Sequence, residues 1–169
     1  TIVRAYEKNR NFYVRPEYRA SAFIRAPVAK EKTNADRSTT ALPPKEIEKN
    51  SQQAQKAILA IHARLLHTLE TSEGAGLSSD DFRTIQKANA KDGLSLDVQD
   101  ISPYHFDSRI DSRYRDALFS IANPGEVAAP VRTDWGWDII LLKKIHPKKN
   151  VSLASATPEI IENVFPHWQ

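Results

Sequence analysis

Apolar positions recur along this chain with two periods, and the switches between them predict the order of its elements. From Pro44 onward, Ile47, Ala54, Ile58, Ile61, Leu65 and Leu69 fall at helical spacing. Pro43 and Pro44 suit a first helical turn, and Gly74 and Gly76 break the pattern. A helix from Pro44 to Glu70 would run roughly 40 Å at 1.5 Å per residue, so that one end projects beyond a sheet. Ser78 or Ser79, with acidic Asp80 and Asp81, starts a shorter helix through Phe82, Ile85 and Ala88. A third helix, from about Ile110 to Ile121, gathers Ile110, Tyr114, Ala117, Leu118 and Ile121 on one face before Asn123, Pro124 and Gly125 stop it.

Strand signals fill the intervals. Arg19 to Ala26, bounded by Pro27, reads as the first strand, and Leu94, Leu96, Val98 and Ile101 alternate with polar residues in a second that ends at Pro103. Val127 to Thr133 and Trp137 to Ile145 form a pair across a turn at Asp134 to Gly136. Lys30 to Ala41 is polar and reads as a mobile loop. The order β-α-α-β-α-β-β predicts an α+β domain, a four-stranded antiparallel sheet covered by helices. This domain spans residues 18–147. Residues 1–17, with Ile2, Val3, Tyr6, Phe12 and Val14 ahead of Pro16, form a helical and extended lead-in. Residues 148–169 are a polar link and a helix start, TPEIIENVFPHWQ, with apolar Ile160, Ile161, Val164 and Phe165.

Composition narrows the function classes. With 169 residues, 40% of them apolar, the chain suffices for one sizeable core. No run of eighteen apolar residues appears, so no integral membrane segment is expected, and no signal peptide is visible. Without cysteine there are no disulfides, thiolate metal sites or cysteine nucleophiles. The net charge of +3 and pI near 9.1 come from basic residues scattered among acidic ones, without the basic stripe or interleaved aromatics that nucleic acid requires. His62 and His67 lie five apart on the long helix, a spacing that does not share a face, and neither a metal nor a cofactor is expected.

The segment RYRDALFSIANPGEVAAPVRTDWGWDIILLKKI, Arg113 to Ile145, carries a resemblance to the parvulin family of peptidyl-prolyl isomerases. Its helix ends in Ala117-Leu118-Phe119, Gly125-Glu126-Val127 follows, and GWDII stands where the family has Gly-Tyr-His-Ile-Ile. The resemblance covers roughly Tyr18 to His146 and is strongest in this last third. It implies that Asp138 replaces one active-site histidine, and that Ala22 in ASAFI occupies the degenerate position of the other. Thr133 in VRTDWG matches the family threonine of the same network, and Asp92 in AKDG corresponds to the family's Cys or Asp. The resemblance also implies a proline-gripping pocket of Val98, Ile110 and Tyr114, with Phe119 and Trp137 as further peptide-binding candidates.

Asp138 in an apolar strand must find a partner such as Arg132, take up a proton, or stand at a surface or rim as alternate strand positions do. If it adjoined Asp92, the two could share a proton. Trp135 and Trp137 flank Gly136 and would face one side of a regular strand, and His105 with Tyr104, Phe106 and Asp107 would line a cleft mouth.

Isomerisation needs only binding of a twisted amide better than either planar isomer, against a barrier of about 18–20 kcal/mol. The resemblance therefore implies an isomerase domain of an exported, periplasmic foldase or chaperone. Its expected partners are extended proline-containing polypeptides, with catalysis weakened or lost along with both histidines. The alternatives are a non-catalytic peptide-binding module, or a docking or dimerisation domain.

Overall fold

The computed structural model describes residues 1–164. In chain order the elements are α1 (Ile2–Lys8), α2 (Arg10–Tyr13), β1 (Val14–Arg15), β2 (Tyr18–Pro27), β3 (Glu31–Thr33), β4 (Thr39–Ala41), α3 (Pro44–Thr71), α4 (Ser79–Lys91), β5 (Asp97–His105), α5 (Ser112–Ser120), β6 (Val131–Arg132), β7 (Gly136–His146), β8 (Lys149–Asn150) and α6 (Leu153–Val164). They divide into two compact units, Thr1–Tyr18 with His146–Gln169, and Arg19–Ile145.

In the smaller unit, α1, α2 and α6 join a two-stranded antiparallel ribbon of β1 and β8. Tyr6 and Tyr13 stack with ring centroids 5.2 Å apart and pack with Ala156 and Ile160. The Tyr6 hydroxyl donates to the Val151 carbonyl at 2.7 Å, which satisfies the polar end of an otherwise buried ring. α6 begins at Leu153, ahead of the expected start, because the Ser152 hydroxyl accepts from the Ser155 amide at 3.2 Å and opens the helix there. Phe165, expected in the same helix, lies outside the described residues.

The larger unit is α+β. Its four-stranded antiparallel sheet runs β5-β2-β7-β6 and is covered on both faces. Alternation along β2 and β7 sorts the side chains. Ala22, Ile24, Ala26, Ile139 and Leu141 join Ala54, Ile58, Ile61 and Leu65 of α3 and Phe82 and Ile85 of α4 in one apolar cluster. Phe23, Ile140 and Leu142 join Tyr114 and Leu118 of α5 in a second. The start of α4 is held by the Asp81 carboxylate, which accepts from the Ser78 amide at 2.8 Å.

Three local expectations are corrected. Lys30 to Ala41 is a β3–β4 hairpin whose turn is closed by the Asn34 side-chain amide, donating to Ser38 at 3.0 Å and Thr40 at 2.8 Å, so polar composition here encodes a turn. β5 continues through Pro103, because it is an edge strand and the missing N–H breaks no ladder bond on its open side. The strand expected from Val127 to Thr133 is reduced to β6, Val131–Arg132, with a separate bridge between Val127 and Leu141 on either side of Pro130.

Candidate functional site

A cleft of about 220 Å³ opens on the α5 side of the sheet, lined by Phe23, Arg25, Gln99, Ile101, Tyr104, Arg109, Ile110, Asp111, Tyr114 and Trp135. Its walls come from β2, the β5 edge, the N-terminal end of α5 with the loop before it, and the turn before β7 that carries Trp135. Asp111 caps α5 by accepting from the Arg113 and Tyr114 amides at 2.8 and 3.3 Å, and this fixes where Tyr114 enters the cleft. The Tyr114 ring meets Phe23 edge-on at 6.2 Å, and its hydroxyl pairs with the Ser21 hydroxyl at 2.8 Å. Burial pushes the Tyr114 phenol well above its ordinary pKa, so it is present as a neutral hydroxyl.

The polar centre is an ion pair. Arg25 Nε donates to Asp138 Oδ1 at 2.7 Å and Arg25 Nη2 to Oδ2 at 2.9 Å, a two-pronged bond to a carboxylate with 0% exposure. The Thr133 hydroxyl, also fully buried, lies 3.4 Å from Oδ2 and 3.3 Å from the Gly136 carbonyl. Burial pushes the Asp138 carboxyl above its ordinary pKa, while Arg25 and Thr133 draw it back down. The Arg25 guanidinium carbon lies 4.0 Å from the centre of the Phe23 ring and 5.0 Å from that of Trp135. The turn bearing Trp135 is held against β2: a Cβ on Gly136 would sit 2.3 Å from the Ala26 carbonyl oxygen, and the Val28 amide donates to the Trp135 carbonyl at 3.0 Å. Glycine is required at 136 by this approach.

Of the residues singled out in the sequence, Ile110 and Tyr114 line the cleft, and Thr133 and Asp138 meet beneath it. Phe119 packs on the same cluster as Tyr114, edge-on to Phe106 at 5.5 Å. The remaining candidates are elsewhere. Ala22 and Val98 pack toward α3 and α4, one strand position out of phase with the cleft, where Phe23, Arg25, Gln99 and Ile101 point instead. Trp137 also lies on that opposite face, donating from Nε1 to the Ser51 hydroxyl at 3.1 Å, while Trp135 is 54% exposed at the cleft. The two tryptophans diverge because Trp135 belongs to the turn before β7, where strand alternation has not begun.

Asp92 is the exposed C-cap of α4 and does not line the cleft, so no shared-proton pair with Asp138 forms. Asp138 is neither a rim residue nor paired with Arg132. Both sheet faces are covered, so alternation here chooses between two interiors rather than between core and water. Tyr104 lines the cleft, whereas His105 accepts the Asp107 amide at Nδ1 over 3.2 Å within its own loop. Burial lowers the pKa of His62 on α3, and among the described residues no group of three His, Cys, Asp or Glu side chains is placed to hold a metal. No helix among them is long and apolar enough to cross a membrane.

Arg25, like Phe23 and Ile101, is a cleft residue that no sequence motif marks. It is the one charge in the run ASAFIRA, just as Asp138 is the one charge in GWDIILL. Two charges isolated in neighbouring apolar strands are best explained by each other.

Residues 1–158 match the family described as the PPIC-type PPIASE domain. No curated protein matches the sequence. A similar solved chain comes from the Campylobacter jejuni proteins described as the virulence factor PEB4 and the periplasmic protein Cj1289, "two structurally-related SurA-like chaperones". It shares 16% identity at a TM-score of 0.44, over 96% of this chain and 52% of that one, so this chain spans about half the solved chain's length. Through its family match and its α+β fold, the chain belongs to the PPIC-type, or parvulin-type, peptidyl-prolyl isomerase domains as a divergent member.

Proposed function

We infer that the domain binds extended, proline-containing polypeptide in the cleft between Phe23, Ile101, Ile110, Tyr114 and Trp135, and isomerises it more weakly than relatives bearing the histidine pair. The observation that carries this reading is an apolar cleft floored by a closed Arg25–Asp138 pair. Its walls suit a proline ring, with Tyr104, Tyr114 and Trp135 offering aromatic faces. Its floor offers no imidazole. Asp138 has both oxygens bonded to Arg25, so it is not free to work as a base, and Thr133 serves to hold the pair.

Peptide rotation requires no proton transfer, so this floor is compatible with activity. What it supplies is an oriented positive donor in a site partly screened from water. The proposal extends to an exported location in the bacterial envelope, tested by recovery of the intact protein in an osmotic-shock fraction.

Exchange NMR on X-Pro peptides tests the cleft directly. Accelerated cis-trans exchange at substoichiometric protein supports a working isomerase, and line broadening without acceleration supports a binding module. Neither effect, across peptides varied at the residue before proline, overturns the reading.

A further inference from the structure

We propose that Arg25 is the catalytic residue of this cleft, donating from Nη1 to the prolyl nitrogen as the peptide bond twists. This inference rests on the peptide-binding reading above and deepens it. Arg25 Nε and Nη2 are engaged by Asp138, while among the described residues nothing accepts from Nη1. The side chain is 12% exposed and lines the cleft, and the guanidinium is fixed by a two-pronged bond below and by the Phe23 and Trp135 rings beside it. A donor so held undergoes no reorganisation when a ligand arrives.

The chemistry of the bond decides what this donor accomplishes. In a planar X-Pro amide the nitrogen lone pair is delocalised into the carbonyl and accepts no hydrogen bond. At the twisted transition state resonance is lost, the lone pair localises on nitrogen, and the guanidinium gains an acceptor that neither planar isomer offers. The hydrogen bond therefore exists only at the top of the barrier, which is the condition for raising a rate rather than an affinity. No covalent bond forms or breaks, no proton moves, and the lone pair returns to the carbonyl as either isomer forms. Arginine suits the role because it stays protonated and its fork can bind Asp138 with one edge and the ligand with the remaining nitrogen. Asp138 and Thr133 are then positioning residues that aim the guanidinium.

The test compares three proteins with one X-Pro peptide, each checked for folding by its amide NMR spectrum. R25M/D138N removes the donor and the buried carboxylate together. R25K keeps a positive charge, but its single ammonium is drawn to Asp138. Exchange spectroscopy gives the isomerisation rate at saturating peptide, and chemical-shift titration gives the affinity.

The expected result is a rate at least tenfold lower in both variants, with peptide affinity within threefold of the parent. The proposal is overturned if either folded variant keeps the parent rate, if affinity falls in step with rate, or if the parent binds peptide without accelerating exchange. That last outcome leaves the peptide-binding reading standing. A parent that neither binds nor accelerates removes both.

Discussion

On the α3–α4 face of the sheet, β2 and β7 present Ala22, Ile24, Ala26, Ile139 and Leu141, all at 2% exposure or less, to a wall of Ile58, Ile61, Leu65 and Phe82. On the opposite face the same two strands present Ser21, Phe23, Arg25 and Asp138 beneath the cleft. The first face is held chiefly by apolar burial, roughly 25 cal/mol per Å² removed from water, with the Trp137–Ser51 hydrogen bond beside it, and tolerates exchange among residues of similar volume. The second buries a charge pair, whose attraction and desolvation nearly cancel, so it adds little net stability and fails badly when half is removed. One face is suited to folding the domain and the other to holding a polar group in a fixed place. Alternation along a strand lets one segment serve both.

The largest expected effect breaks the second face by leaving one charge alone. R25Q strands the buried Asp138 carboxylate and should destabilise the domain by about 3–5 kcal/mol in chemical denaturation, with D138N added in the same chain recovering most of the loss. If R25Q alone unfolds at the parent's denaturant midpoint, the pair is not buried as described.

The two tryptophans sharpen the comparison next. Trp137→Ala opens a space against α3 and abandons the Ser51 hydroxyl, for an expected loss of about 3 kcal/mol with peptide affinity retained in whatever fraction stays folded. Trp135→Ala should change stability by about 0.5 kcal/mol or less while weakening peptide binding severalfold in a shift titration. A reversed pattern would exchange the roles of the two faces.

Y114F falls between the two tryptophans in its cost to stability. It removes the hydroxyl partner of Ser21 while keeping the ring against Phe23, so the expected cost is about 1 kcal/mol, read as a shifted denaturation midpoint.

The smallest effect belongs to Asp100, which ties β5 to the helix-covered side of the sheet. Lys143 donates to its carboxylate at 2.8 Å, Ser79 at 2.5 Å, and Arg83 also bonds to it. These partners, Lys143 foremost, pull its pKa down to about 2. Its folded pKa lies below the unfolded value of about 3.9, so its contribution is present above that value and is lost as pH falls through about 2. The carboxylate is 37% exposed, so solvent screening reduces the contribution to a few tenths of a kcal/mol. D100N should lower stability by that amount near neutral pH and leave it unchanged below about pH 2, which flattens the acid limb of the profile.

Much of this architecture was legible from local signals. The period of α3, the cap chemistry of Ser78 with Asp81, the stop at Asn123 to Gly125 and the run GWDIILLKKI each report on a few neighbouring residues, and each landed in the expected type of element. The candidate site was legible only in part. Tyr114, Thr133 and Asp138 came from the segment with the strongest family likeness, whereas Ala22 and Val98, aligned by motif, lie on the α3–α4 side of their strands and not on the cleft side. A shift of one residue carries a strand side chain to the other face, and an apolar run buried on both faces has no polar alternation to reveal its phase.

What the amino-acid sequence by itself determined is therefore the α+β order of the domain and the family to which it belongs, because helical periodicity, caps and turns are encoded within a few residues. What only the tertiary structure decided is the phase of β2 and β5 against the cleft, the divergence of Trp135 from Trp137, and the union of Arg25 with Asp138 across 113 positions of chain. Those depend on which strands lie side by side and what covers each face of the sheet, and a buried charge finds its partner only after that packing is complete.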